Sequence, residues 1–361
     1  MTTAASNLIF IAALAGFSGA TLAWGISRLH RERWQFLAAI PRSRRSDGSW
    51  RCVNITYYGA LTAFACVCAV ALGATLLSAL GVGAAPSLFL VCALLAICVP
   101  AAKIVAVIVE RNFFRFTVGG AAFSGIVCAP LVAALAGFLF REDGAGAEAF
   151  PVVPACAALA AAYAFGEGLG RLACLSYGCC YGRKIATLRS AAARKFFSAL
   201  AVRFDGECKK AVYAGGCGGE ALVPVQAMSA IVNTGTALAS TALLASGSPR
   251  AALIFAVAGT QLWRFFSEFL RDDDRGKGKI SSYQKMALVA VAWTVAAALV
   301  FGDGGAGTPA RPPVLAEGLR IFLSPATILA LQALFAAVLV YTGTSRMTTS
   351  TARFSVVRSR I

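Results

Sequence analysis

Long apolar runs alternate with shorter polar segments along almost the whole chain. A helix needs about 20 mostly apolar residues to cross a bilayer, and nine segments reach or approach that length. They are Leu8–Trp24, Val53–Leu80, Pro86–Val109, Val118–Phe140, Pro151–Phe165, Val223–Ala245, Ala251–Leu270, Met286–Val300 and Leu319–Tyr341. The pattern predicts an all-α polytopic membrane protein with about nine transmembrane helices. We expect the first segment to be retained as a span, because no basic region precedes it as in a signal peptide.

Composition supports a membrane protein and excludes other classes. Of 361 residues, 58% are hydrophobic and 14% are charged, against about 25% charged in a typical soluble domain. A soluble globular fold, a disordered chain and a nucleic-acid-binding module are therefore excluded as descriptions of the whole chain. The net charge of +17 is assigned to contacts with anionic lipid headgroups rather than with nucleic acid.

The basic residues are distributed unevenly between alternate loops. Most of the 33 Lys and Arg residues lie in one set of loops: Ser27–Arg51, Glu110–Thr117, Arg171–Leu222, Arg271–Lys279 and the tail after Tyr341. The other set is poor in basic residues: Gly81–Ala85, Arg141–Phe150, Gly247–Arg250 and Phe301–Gly318. Nine spans place the two sets on opposite faces, and the positive-inside rule assigns the basic face to the cytoplasm.

Cysteine and histidine usage limits the chemistry. The chain has 12 Cys and one His, His30, which lies outside any motif. No CxxC pair occurs, so the spacing predicts neither a metal site nor a redox motif, and no cofactor is expected. Cys208 and Cys217 lie in a polar loop and are the candidates for a disulfide.

Ionisable residues in or next to the spans are candidates for function, since charges inside a membrane are costly. Lys103, Arg264 and Glu268 are the clear cases. Arg264 and Glu268 are four residues apart on one helix face, where they could also form a purely structural ion pair. Arg171 adds a second guanidinium, and two such groups suit a phosphate, which they bind through paired hydrogen bonds.

A glycine-rich stretch, residues 166–183, follows the short fifth span. We expect it to end the helix and to form non-helical backbone that lines a cavity, since such backbone is tolerated at membrane depth only there or inside protein. The alternative is a glycine face for close helix packing.

These residues carry a resemblance to a known family. The segment Gly170-Arg171-x-x-Cys174-x-x-x-Gly178-Cys179-x-x-Gly182 resembles the signature of prolipoprotein diacylglyceryl transferases, G-R-x-x-N-F-x-N-x-E-x-x-G. Further pieces follow in order, each similar to a family motif: Ile55–Gly59 (I-R-W-Y-G), Ala102-Lys103 (G-A-R), Gly119–Gly125 (G-G-M-S-F-H-G), Pro224–Gln226 (H-P-x-Q) and Arg264–Arg271 (R-F-x-x-E-x-x-R).

The resemblance implies a division of the chain. Seven spans in residues 53–300 would form a transferase-like membrane core, with a polar insertion at 183–222. Residues 1–52 would add an N-terminal span and a basic loop. Residues 301–361 would add a C-terminal span and a basic tail.

The resemblance also implies a reaction and a site. The reaction is transfer of a diacylglyceryl group from phosphatidylglycerol to the lipobox cysteine thiol of a preprolipoprotein, with release of glycerol phosphate, in the cytoplasmic (inner) membrane. The expected partners are phosphatidylglycerol, the preprolipoprotein signal peptide and membrane lipids. The implied catalytic residues are Arg171, Arg264, Glu268 and Tyr58, and the implied substrate-binding residues are Lys103, Ser124, Gly170, Cys179, Cys180, Gly182, Gln226 and Arg271.

Several positions depart from the family pattern. Ser124 stands where the family motif has His, Cys174 and Tyr177 where it has Asn, and Cys179 where it has Glu. Two alternatives therefore stay open: a relative that passes the lipid group to another acceptor, for example through Cys179 or Cys180, and a non-catalytic protein that binds or transports phospholipid. The family places its signature on the outer side of the membrane, against the positive-inside count, and we favour the family orientation.

Overall fold

In the computed structural model, residues 2–33, 35–44, 46, 48, 50–110, 117–141, 150–272, 280–301 and 312–345 are described. Twelve α-helices occur in this part of the chain: α1 Thr3–Arg28, α2 Tyr57–Ala79, α3 Ala84–Glu110, α4 Val118–Leu139, α5 Val152–Tyr177, α6 Ala191–Ala199, α7 Lys210–Tyr213, α8 Val225–Ala245, α9 Pro249–Ser267, α10 Ser282–Val300, α11 Leu315–Gly318 and α12 Pro325–Gly343. Three short 3₁₀ helices are Ile185–Thr187, Glu268–Leu270 and Leu319–Leu323.

The long helices confirm the predicted fold class. Eight of those described are long and apolar enough to cross a membrane: α1, α2, α3, α4, α5, α8, α10 and α12. Helix α9 has 19 residues but is not among these eight. It carries Gln261 and Arg264 and packs between α8 and α10, so it corresponds to the seventh predicted span with a more polar composition.

Helix α5 forms the centre of the molecule, in contact with α2, α8 and α9. It continues into the glycine-rich stretch as far as Tyr177, so the predicted end at Phe165 is wrong. The non-helical backbone predicted for residues 166–183 occurs only after Tyr177, where Cys179 and Cys180 line the cavity. Gly168 shows the reason, because a β-carbon there would collide with Thr234 of α8. The alternative reading, close helix packing through glycine, is correct for this part of the stretch.

The backbone turns sharply after α5. Gly178 ends the helix in the left-handed conformation, with φ of 73°, which glycine adopts without steric cost. Cys180 is also left-handed, with φ of 56°. The following segment is fixed by the Arg183 N–H, which donates to Leu270 O at 2.9 Å, and by the Val223 N–H, which donates to Arg183 O at 3.0 Å. The turn therefore lies where α5, α8 and α9 meet.

A small antiparallel sheet occupies part of the basic loop predicted between the first two spans and the first residues of the predicted second span, so α2 begins at Tyr57 rather than at Val53. Strand β1 is Phe36–Arg44, β2 is Trp50–Thr56 and β3 is Thr344–Ser345, in the order β1-β2-β3. Gln35, just before β1, donates from Nε2 to Ser176 O near the end of α5. The hairpin is thus attached to the same end of α5 as the glycine turn.

The first and last spans pack against the rest of the bundle. Asn7 of α1 donates from Nδ2 to Pro313 O at 2.8 Å, and its Oδ1 accepts from the Leu315 N–H at 2.9 Å. Thr56 donates to Gly343 O at 3.0 Å, next to the contact between α12 and α2. The last span begins at Pro325 rather than at Leu319, which belongs to a 3₁₀ helix.

The polar segment between α5 and α8 folds back onto the end of the bundle. Lys209 is completely buried, and its Nζ donates to Leu29 O at 3.1 Å and to Ser176 O. Cys208 and Cys217 are both buried and keep their thiols; the Cys217 thiol donates to Gly215 O at 3.1 Å. The predicted disulfide between them is therefore wrong, and buried hydrogen bonds hold this segment instead.

Candidate active site

A cavity of about 890 Å³ lies among α2, α3, α4, α5, α9 and α10. Much of its wall is apolar, with Ala65, Ile126 and Leu253 among the lining residues. The cationic side chains in its lining are Arg171, Lys210, Arg264 and Arg271, and the acidic ones are Glu167 and Glu268. The described lining thus combines apolar surface with an excess of positive charge, which suits an amphipathic anion.

Two arginines converge on one carboxylate in the cavity wall. Arg264 of α9 donates from Nη2 to Glu167 Oε1 at 2.9 Å, and Arg171 Nη2 donates to the same oxygen. The exposed fractions of the three side chains are 9% for Glu167, 15% for Arg171 and 16% for Arg264. Buried charges need partners, so Glu167 fixes both guanidinium groups while the site keeps one net positive charge.

Glu167 is the residue that sequence reasoning missed. It precedes Arg171 by four residues, so the two lie on the same face of α5, and an acidic residue in an apolar run is itself a signal of function. The partner of Arg264 could not be read from spacing, since Glu167 is 97 positions away. The sequence suggested Glu268 instead, whose Oε2 accepts from the Ser281 hydroxyl at 2.7 Å.

Aromatic residues border the same cavity. Tyr58, in the first turn of α2, lines it together with Tyr177 at the end of α5. Their ring centroids are 5.7 Å apart in an edge-to-face arrangement, and the Tyr177 hydroxyl hydrogen-bonds to that of Tyr213. The two rings connect the start of α2 to the polar segment that follows α5.

Three cysteines gather in the turn after α5. The sulfur atoms of Cys174, Cys179 and Cys180 all lie within 4.8 Å of one another, and all three residues line the cavity. Gln226, at the start of α8, donates from Nε2 to Cys179 O at 2.9 Å. The spacing of the cysteines in the sequence does not indicate this cluster, since it depends on the helix end and on the left-handed turn.

The other predicted site residues fall into two groups. Gly170 and Arg271 line the cavity along with Tyr58, Arg171, Arg264, Glu268, Cys179 and Cys180. Lys103, Ser124, Gly182 and Gln226 are not among the lining residues. Lys103 is exposed on α3 and Ser124 is half-buried on α4, whereas Gly182 pairs with Arg271 in a β-bridge and Gln226 is buried.

A sequence model of the prolipoprotein diacylglyceryl transferase family matches residues 49–301. This range is well over half of the 361 residues. The chain belongs to the prolipoprotein diacylglyceryl transferase family. Neither a curated protein nor a solved structure matches it.

Membership of this family makes the chain a transferase that acts in the membrane on lipoprotein precursors. The matched range contains α2 to α10 and every residue that lines the cavity. Helices α1 and α12 lie outside it. The cavity is therefore built entirely by the part of the chain that resembles the prolipoprotein diacylglyceryl transferases.

Proposed function

We propose that the chain transfers a diacylglyceryl group from phosphatidylglycerol to the lipobox cysteine thiol of a preprolipoprotein and releases glycerol phosphate. The proposed location is the cytoplasmic (inner) membrane. The observation that carries the proposal is the convergence of Arg171 and Arg264 on Glu167 in the wall of a largely apolar cavity.

The cavity has the two properties that a phosphatidylglycerol donor requires. Its phosphodiester is an anion, which the excess positive charge of the lining attracts. Its acyl chains need apolar surface, which α2, α3 and α4 supply with residues such as Ala65, Leu94 and Ile126. Arginine is suited to the phosphate because its planar fork donates two parallel hydrogen bonds.

The reaction exchanges one bond for another. The acceptor sulfur attacks the terminal glycerol carbon of the diacylglyceryl group, a thioether bond forms, and the carbon–oxygen bond to the phosphate breaks. The electron pair of that bond stays on the phosphate oxygen, so negative charge develops on the leaving group. Arg171 and Arg264 would stabilise this charge, since positioned cations act most strongly where charge develops.

The remaining predicted residues receive supporting roles. Tyr58 would donate a hydrogen bond to the headgroup, and Glu268 would orient nearby cations or accept the thiol proton. Arg271 and Gly170 would contact the donor from the cavity wall. Gly182 and Gln226 would shape the turn that carries Cys179. Lys103 and Ser124 lie outside the lining and would have no direct role in the transfer step.

The test uses the purified full-length chain in vesicles that contain phosphatidylglycerol labelled in its diacylglyceryl part. A lipobox peptide is added, and a peptide with serine in place of the acceptor cysteine is the control. Labelled cysteine peptide together with glycerol phosphate supports the proposal. Loss of labelled lipid without peptide modification indicates another acceptor, and lipid binding without turnover indicates a binding or transport protein; either result contradicts it.

A further inference from the structure

The three-cysteine cluster of Cys174, Cys179 and Cys180 is not explained by the proposed phosphate chemistry. Within the described part of the chain, these three cysteines form the one group of three or more Cys, His, Asp or Glu side chains that lie close enough together to hold a metal ion. Thiolates select soft or borderline cations such as Zn²⁺.

We propose that Cys174, Cys179 and Cys180 bind a Zn²⁺ ion as three thiolates and leave its fourth position open to the cavity for the acceptor thiol. Catalytic zinc sites typically have three protein ligands and one open position. The metal site stands on the geometry of the cluster alone. The role of the fourth position rests on the proposed function.

The geometry of the cluster is close to what zinc requires. Sulfur atoms bound at about 2.3 Å to one tetrahedral Zn²⁺ lie about 3.8 Å apart. The three sulfur atoms, all within 4.8 Å of one another, would have to approach by about 1 Å or less. The left-handed backbone of Cys180 is a sparsely populated conformation for non-glycine residues, and such residues cluster at active and ligand-binding sites. It brings two adjacent thiols to the same wall of the cavity.

The surrounding charges suit such an ion. Three thiolates and one Zn²⁺ carry one net negative charge, and a fourth thiolate raises it to two. Arg171 and Arg271 line the same cavity as the cluster and would balance this charge. The Gln226 amide holds the carbonyl of Cys179, which fixes the backbone of one proposed ligand, as supporting hydrogen bonds do in metal sites.

An ion at this position would activate the acceptor thiol directly and leave Glu268 to orient the nearby cations. A thiol must lose its proton to become a nucleophile, and Ser124 stands where the family motif has His. A thiol that binds Zn²⁺ is deprotonated, with its proton passing to water. The sulfur electron pair then attacks the glycerol carbon while the phosphate leaves with the electrons of the broken bond. The thioether product is uncharged and dissociates from the ion.

The first experiment measures metal binding without any reaction. The reduced full-length chain is loaded with Co²⁺ as a spectroscopic probe for Zn²⁺. We expect one Co²⁺ per chain with thiolate charge-transfer bands, displaced by one equivalent of Zn²⁺. Cys174→Ser, Cys179→Ser and Cys180→Ser should each weaken binding at least ~10-fold. Cys66→Ser is the matched control, since Cys66 lines the same cavity outside the cluster, and it should leave binding unchanged.

X-ray absorption of the zinc-loaded wild-type chain provides a readout that does not depend on the folding of variants. Three sulfur ligands and one lighter atom are expected for the protein alone, and four sulfur ligands after addition of the cysteine lipobox peptide. The serine peptide should leave the spectrum unchanged. Absence of a three-sulfur site in the wild-type chain would overturn the proposed metal site. A three-sulfur site whose spectrum does not change on addition of the cysteine peptide would overturn the proposed role of the fourth position.

The outcomes separate this inference from the proposed function. If the metal-free chain transfers the labelled lipid group, the proposed function is supported and a role of zinc in the transfer is refuted. A three-sulfur zinc site in a chain that transfers nothing supports the metal site and refutes the proposed function. Binding of Co²⁺ that survives all three serine variants refutes the assignment of the ligands.

Discussion

Arg264 Nη2 and Glu167 Oε1 lie 2.9 Å apart across the interface of α9 and α5. The contact joins residues 97 positions apart in the sequence and places both side chains in the cavity wall. Since Arg171 donates to the same oxygen, one carboxylate determines the position of two guanidinium groups.

Glu167→Gln should destabilise the chain and reduce transfer. The substitution leaves two buried guanidinium groups opposite a neutral amide, and removing one partner of a buried pair costs about 3–5 kcal/mol. The matched control is Glu220→Gln, which removes the exposed ion pair with Lys184 and should cost about 1 kcal/mol or less. Unfolding in detergent and the transfer assay measure both effects. Equal loss of stability in the two variants would contradict the role of Glu167.

Arg264→Ala should lower turnover far more than Lys103→Ala. Arg264 lines the cavity and Lys103 does not, and loss of one donor to developing negative charge costs about 100-fold or more. The transfer rate at saturating phosphatidylglycerol is the measurement. Arg264→Lys retains the charge but not the fork, so partial activity is expected. Equal losses in the two alanine variants would show that Lys103 also holds the donor.

Ser124→Ala should leave turnover close to that of the wild-type chain. Ser124 is half-buried on α4 and is not among the residues that line the cavity. A serine hydroxyl also cannot act as a base near neutral pH without a second group to take its proton. Transfer and lipid binding are measured in parallel. Loss of turnover with intact binding would place Ser124 in the reaction.

Gln226→Leu should increase the rate at which a maleimide labels the thiols of Cys179 and Cys180. The Gln226 amide donates to the Cys179 carbonyl at 2.9 Å, and without this bond the turn after α5 is less firmly held. Mass spectrometry of labelled peptides gives the rate at each thiol. Cys52, which lies on β2 and is not among the residues that line the cavity, serves as the internal reference. An unchanged ratio of labelling rates would show that Gln226 does not position the turn.

Stability should rise with pH between about 8 and 10.5 through Lys209. Burial lowers the pKa of Lys209 to about 8 from its ordinary value of 10.5. The unfolded chain therefore binds more protons than the folded chain in this window, and raising the pH favours the folded state. The apparent unfolding temperature is compared with that of Lys209→Met, whose dependence on pH should be weaker. Identical pH profiles would contradict the lowered pKa.

The feature of the sequence that predicted the fold correctly is the length of its apolar runs. Apolar length alone sets where helices can cross a bilayer, and eight of the nine predicted spans correspond to described helices that meet this requirement. The family could also be inferred from local sequence, since Gly170, Arg171 and Gly182 have the same spacing as in the family signature. The family model matches residues 49–301.

The prediction was wrong where the choice between two local structures depends on a distant neighbour. Glycines such as Gly168 are compatible both with the end of a helix and with close packing of a continuous helix. The close approach of Thr234 of α8 shows that packing of a continuous helix is the case here. The loop before α2 forms a local hairpin of β1 and β2. Only the third strand depends on a distant neighbour, since β3 pairs with β2 where α12 packs on α2.

The sequence by itself determined the membrane class, the approximate positions of the long helices and the family, because these depend on properties carried by neighbouring residues. The tertiary structure alone decided the site. Glu167 becomes the shared partner of Arg171 and Arg264 because α5 packs against α9. Cys174 meets Cys179 and Cys180 because the chain turns back at the end of α5. Charge pairing and thiol clustering depend on distances in space, and those distances are set by helix packing.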